Sequence, residues 1–196
     1  MTAIIDYGAG NLHSVKNALD FIGAPSVITG DAERILNADR IILPGVGAFG
    51  SAMQALTDSG LVPVIKRAVK NGTPILGICL GLQLMFEGSE ESPNVDGLGI
   101  FKGKCVKIPD CGLKIPHMGW NNIELAKESR ILSEDYVYFV HSYYLTTPDS
   151  ETISAYTDYG KRLAVAVERD NVFAVQFHPE KSGGAGMEIL KKFMSV

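Results

Sequence analysis

The chain has 196 residues, 46% of them hydrophobic and 20% charged, with a formal net charge of −4. A chain of this length buries roughly 70% of its unfolded surface and needs no covalent staples. The acidic balance leaves no basic footprint for nucleic acid, the three cysteines show no CxxC or metal-finger spacing, and no apolar run approaches the ~18 residues of a membrane span.

Few unpatterned cysteines predict a reducing compartment, and Asp6 stands where a leader's apolar core would lie. A cytoplasmic location is therefore expected, without metal, cofactor or membrane.

In chain order, the N-terminal half alternates short apolar runs with amphipathic ones. TAIID is followed by a Gly-rich turn and the helix-like NLHSVKNALDFIG. SVIT precedes DAERILN, and RIILPGVG precedes AFGSAMQALTDSG and LVPVIKRAVKNG. PILGI then runs into CLGLQLMFEGS. Strand, turn and helix in this succession predict an α/β fold with a doubly wound, mostly parallel sheet and helices on both faces. EGSEESPNVDGLG reads as a surface loop. Beyond it come KCVKI, NNIEL, YVYFVHSYY, TISAYTDY, LAVAVER and NVFAVQF, then a closing helix, GMEILKKFM. These strands are expected to extend the same sheet in mixed or antiparallel fashion, so residues 1–196 read as a single domain.

Sites in such sheets lie at the carboxyl ends of the strands, where three Gly-rich segments fall. DYGAGN partly matches the dinucleotide fingerprint, but His13 occupies the third glycine position. A tight turn with Asn11 capping the helix is the better reading. PGVGAFG puts Gly45 and Gly47 just past a strand, where bare backbone N–H groups can meet a developing anion or simply form a turn.

The third segment, Gly77-Ile78-Cys79-Leu80-Gly81, is the thiol counterpart of the GxSxG nucleophile elbow. Chance alone would place this pattern in a chain of such composition roughly 3% of the time. Bulky neighbours would clash in the sharp turn, the helix start favours thiolate, and the Leu80 N–H would face an oxyanion. Cys105 and Cys111 have no such setting.

A thiol nucleophile needs a base, and the histidines are His13, His117, His141 and His178. His178 follows NVFAVQF and precedes Pro179-Glu180. If the strand persists, residues 178 and 180 project to one side. Alone they would read as a strand-end histidine and a surface glutamate. Beside Cys79 they read as base and orienter. His141 is the weaker alternative.

GICLGLQ, PGVG and FHPE together resemble the class I, triad-type glutamine amidotransferases, over essentially the whole chain and in the family's order. The resemblance implies hydrolysis of L-glutamine through a thioester, with Cys79 as nucleophile, His178 as acid/base and Glu180 as its orienter. It implies substrate or oxyanion contacts at Gly47, Leu80 and Gln83, and also at Ser142 and Tyr143. There the chain departs from the wider class, with Val140-His141-Ser142 where Asn-His-Gly is common. DYGAGN, PGVGAFG, PHMGWN, FVHSYY and FHPEKS are similar to the branch of the family that serves imidazole glycerol phosphate synthesis. That branch implies a heterodimer with a (β/α)8-barrel cyclase, docked around the triad through Asn11, Trp120, Asn121, Tyr138 and Lys181. The rivals are the glutaminase subunit of another synthase, a cysteine peptidase or esterase on a similar sheet, and a non-catalytic module binding a nucleotide through DYGAGN.

Overall fold

The computed structural model describes residues 1–196. The chain begins β1 (Thr2–Ile5), α1 (Leu12–Phe21), β2 (Ser26–Thr29), α2 (Ala32–Leu36), β3 (Arg40–Gly45), α3 (Phe49–Asp58), α4 (Leu61–Lys70), β4 (Ile75–Cys79) and α5 (Leu80–Leu84). Short strands follow: β5 (Gly88–Ser89), β6 (Lys104–Lys107), β7 (His117–Asn122), β8 (Glu124–Leu125), β9 (Tyr136–His141), β10 (Tyr143–Thr146), β11 (Ile153–Asp158), β12 (Arg162–Arg169) and β13 (Val172–Val175). A 3-10 turn at Pro179–Lys181 leads into α6 (Gly183–Phe193).

The main sheet has the order β2-β1-β3-β4-β13-β12-β10-β6-β5, with β11 beside β12 and β8 beside β11. Pairing is parallel from β2 through β13 and antiparallel from β13 through β12 and β10 to β6. This is the expected mostly parallel sheet with an antiparallel extension. Alternation along β1 sends Ala3 and Ile5 into one apolar layer and Ile4 into the other. Ile35 of α2, Phe49 of α3, Ile65 of α4 and Leu82 of α5 close the first layer. Leu19 of α1 and Phe193 of α6 close the second. The helices form where apolar spacing allows it. In α3, Phe49, Ala52, Met53 and Leu56 fall on one stripe and are buried.

Two expectations about the later strands are corrected. YVYFVHSYY is not one strand, because His141 Nδ1 donates to the Tyr143 carbonyl at 2.9 Å and the chain bends between them. β9 consequently leaves the main sheet and pairs with β7 in a separate two-stranded ribbon, while β10 stays. NNIEL is likewise divided at Ile123, its first residues ending β7 and its last forming β8. The elbow helix is also shorter than CLGLQLMFEGS implied, since α5 ends at Leu84.

Candidate active site

Cys79 ends β4 in a backbone conformation rare for a side-chain-bearing residue, φ 55° and ψ −110°. The glycines around it are required by packing. A Cβ on Gly81 would lie 1.9 Å from the Leu43 carbonyl oxygen, and one on Gly77 would meet the Gly81 backbone at 3.0 Å. The elbow thus presses against β3 at van der Waals limits, which no larger residue permits. With α5 only a turn and a half long, its macrodipole is small, so support for charge on the sulfur must come from neighbouring side chains. Leu80, first residue of α5, still has an N–H without an intrahelical partner.

His178 lies past the end of β13, adjacent to β4. The strand does not persist to Glu180 as expected. Proline instead starts the 3-10 turn, and that turn, not strand alternation, brings His178 Nδ1 to 2.8 Å from Glu180 Oε1. The turn is clamped from behind: a Cβ on Gly186 of α6 would sit 1.9 Å from the Pro179 carbonyl oxygen. The Ser182 hydroxyl donates to the His178 carbonyl at 2.6 Å, and the His178 N–H donates to the Tyr138 carbonyl at 3.0 Å. In the neutral ring Nδ1 therefore carries the proton, and Nε2 is left for the cavity that Cys79 also lines. Burial disfavours the imidazolium, but bonds to Cys79 and Glu180, with their charges, outweigh it and push His178 up to about 9. The side chains are 5% and 1% exposed, so this pairing operates largely out of water. Glu180 Oε2 is buried and accepts no hydrogen bond.

Cys79 and His178 open into a cavity of about 300 Å³ that is also lined by Gly47, Leu80, Gln83, Ser142 and Tyr143. Every expected catalytic and substrate-contact position except Glu180, which stands behind His178, reaches this one cavity. Gly47, with φ 99° and nothing within 4 Å of its Cβ position, forms an open rim.

Three contributors were not anticipated. Glu91, assigned to a mere surface loop, lines the cavity and accepts from the Phe49 N–H at the start of α3 at 2.7 Å. Its charge, after burial, helps raise the Tyr143 phenol. Tyr7 of DYGAGN is buried and donates to the Pro44 carbonyl at 3.0 Å. Burial, then the Cys79 charge, holds that phenol neutral. Gln176 is fully buried beside Cys79. Of these, only Tyr7 stood in a segment weighed as a candidate site, and there for a different reason.

The weaker base candidate, His141, does not compete. Its Nε2 lies 2.9 Å from His117 Nδ1. Burial drives its pKa down to about 3, with the neighbouring histidines adding to that against the Tyr143 bond.

The expected docking residues divide. Trp120 is 56% exposed and meets Tyr138 edge-on at 6.0 Å across the β7–β9 ribbon. Asn11 occupies the N-cap of α1 but makes no capping bond with its side chain, so the capping role is corrected and its amide is uncommitted. Lys181 is exposed on the cavity rim. Asn121 lies on the opposite ribbon face from Trp120, and its amide donates to the Asp158 carbonyl at 2.8 Å. It does not join the exposed face. Met118 and Tyr136, both exposed, do.

A strained thiol at a strand-to-helix turn, beside an imidazole–carboxylate pair on a doubly wound sheet, defines an acyl-transfer site. Residues 3–196 match the family described as glutamine amidotransferase class-I, and the chain belongs to that family. It is 48% identical over 199 residues to imidazole glycerol phosphate synthase subunit HisH of Methanothermobacter thermautotrophicus, covering 100% of this chain and 98% of that one. To the protein of the same name from Aquifex aeolicus it is 49% identical over 197 residues, covering 98% and 95%. Among solved structures, the one titled PurLQS from Thermotoga maritima shares the fold, with a TM-score of 0.79 at 18% identity over 99% of this chain and 97% of that one. No helix is long and apolar enough to cross a membrane.

Proposed function

We propose that this chain is the glutaminase subunit of an imidazole glycerol phosphate synthase in histidine biosynthesis, hydrolysing L-glutamine to glutamate and ammonia. Full-length identity near one half with relatives bearing that name supports the pathway. The juxtaposition of Cys79, His178 and Glu180 over one small cavity carries the chemistry.

The Cys79 thiolate attacks the side-chain amide carbon of glutamine, and the carbonyl electrons move onto oxygen. The N–H groups of Leu80 and of the Gly47 loop face that oxyanion. His178, charged and oriented by Glu180, gives its Nε2 proton to the departing nitrogen, so the C–N bond breaks and ammonia leaves. Neutral His178 then takes a proton from water, which attacks the thioester. Collapse of the second tetrahedral intermediate releases glutamate and restores thiolate and imidazolium. Glu91 supplies a carboxylate for the substrate's ammonium, and Gln83, Ser142 and Tyr143 complete the grip. A cavity of about 300 Å³ lies at the small end of ligand pockets. It suits one amino acid better than a peptide and disfavours the peptidase reading.

Ammonia is mostly protonated at neutral pH, so direct delivery to a second subunit is the sensible arrangement. That partner is a (β/α)8-barrel cyclase forming imidazole glycerol phosphate and AICAR, docked on the exposed face of Met118, Trp120, Tyr136 and Tyr138 with Asn11 and Lys181 beside the triad. The deciding measurement is ammonia release from free L-glutamine in the presence of the cyclase. Wild-type protein should turn over, and Cys79→Ala should lose at least ~10³-fold in kcat while remaining folded. Substantial turnover by the variant would overturn the reading.

A further inference from the structure

The parallel register pairs Val175 with Ile78, which sets the next residue, Gln176, level with Cys79. Its side chain is fully buried. Nε2 lies 3.6 Å from the Cys79 sulfur, and Oε1 accepts from Gln83 Nε2 at 3.1 Å. Buried amides need partners, but this one has as its acceptor the atom that reacts. Because a thiolate can only accept, Nε2 must face it. Oε1 then faces Gln83, which turns the Gln83 amide nitrogen inward and leaves its own oxygen toward the cavity it lines.

We propose that Gln176 donates a hydrogen bond to the Cys79 sulfur whenever that sulfur carries charge and, through the same amide, fixes the orientation of Gln83 toward the substrate. This rests on the reading of Cys79 as nucleophile. In acylation the sulfur's electron pair forms the carbon–sulfur bond and the donor loses its acceptor. In thioester hydrolysis that bond breaks, the pair returns to sulfur, and the Gln176 N–H receives it. The bond therefore assists thiolate formation and sulfur departure, the steps in which α5 is too short to help much. The other titratable or charged groups around the sulfur and cavity are His178, His141, Tyr143, Tyr7, Glu91 and Lys181.

The test uses the full chain with Gln176→Met, which keeps shape without polarity, and Gln176→Glu, which places a carboxylate at the sulfur. The rate of Cys79 alkylation by iodoacetamide, localised by peptide mapping, is followed against pH. The midpoint should rise by about one unit in Gln176→Met and further in Gln176→Glu. With cyclase present, kcat for glutamine should fall roughly tenfold and KM should rise as Gln83 loses its orientation. Lower thermal stability with an unchanged alkylation profile would overturn the proposal and leave Gln176 a structural amide. Should the variants not fold, the side-chain amide resonance of Gln176 in wild-type protein decides. It must move when Cys79 is alkylated, and a stationary signal refutes the contact. Failure of the glutaminase reading looks different, since wild-type protein would then release no ammonia whatever Gln176 does.

Discussion

Cys79 holds a conformation that costs about 1–3 kcal/mol, sustained by Gly81 against Leu43 on one side and by Gln176 on the other. His178 and Glu180 are held as tightly, which makes their substitutions informative. In the proposed mechanism His178→Asn removes the only group that shuttles the proton in both half-reactions. Glu180→Gln has two poor options. Its NH2 can face Nδ1, which forces the wrong tautomer, or replace the unpartnered Oε2 and leave a buried donor unsatisfied at about 1–3 kcal/mol. We predict a kcat loss of ~10³–10⁴ for His178→Asn and ~10² for Glu180→Gln, with KM nearly constant, in steady-state ammonia assays with cyclase. Reversed severity would mean that the roles are misassigned. Cys79, His178 and Glu180 could be singled out as candidates in sequence because glycine and proline punctuate them. Gln176 and Glu91 were not, since the first meets Cys79 across 97 residues of chain and the second arrives by a loop folding back onto α3.

At the scale of elements, the β7–β9 ribbon is the departure from a plain doubly wound sheet. Strand propensity marked β9 within YVYFVHSYY but only the last two residues of β7, within NNIEL, and the pairing was invisible because His117 and His141 oppose each other only once the register is known. Their rings form a buried chain in which Asn121 donates to His117, His117 to His141, and His141 to the Tyr143 carbonyl. Phe139 and Tyr159 stack on His117. Burial lowers His117 to about 4 and is the main cause holding His141 near 3. Both lie below the ~6.5 of a free imidazole. The unfolded chain therefore binds protons first as pH falls, and the stability these rings contribute is intact above about 6.5 and lost progressively toward 4. Urea midpoints measured from pH 7 to 4.5 should fall for wild-type protein and fall less steeply for the His117→Leu/His141→Leu double variant, even if that variant starts lower. Equal slopes would show that other groups govern the acid response.

For the whole molecule, the exposed aromatic face of that ribbon is tied to the triad through the Tyr138 backbone, which bonds His178 and Ser182. A subunit seated on Trp120 and Tyr138 would press on His178 through that backbone, while the open Gly47 rim leaves room for the loop proposed to meet the oxyanion to adjust. Turnover should be low for the isolated chain and rise strongly with cyclase and its bound ligand. Trp120→Ala should weaken cyclase affinity by roughly 30-fold or more, as for buried aromatic anchors, without altering thermal stability. Titration calorimetry that found affinity unchanged would place the docking face elsewhere. The position of β13 between β4 and β12 has a further consequence, for synthesis. A ribosome must have passed Val175 before the centre of the sheet can be filled. Until then β4, with its buried ILGIC sequence, is an unpaired edge of the kind that invites self-association. The segment bearing Gln176, His178 and Glu180 arrives with that strand, so under the proposed mechanism a nascent form that stops short of it has no means to generate ammonia. The hazard of an open edge and the onset of activity end in the same folding step.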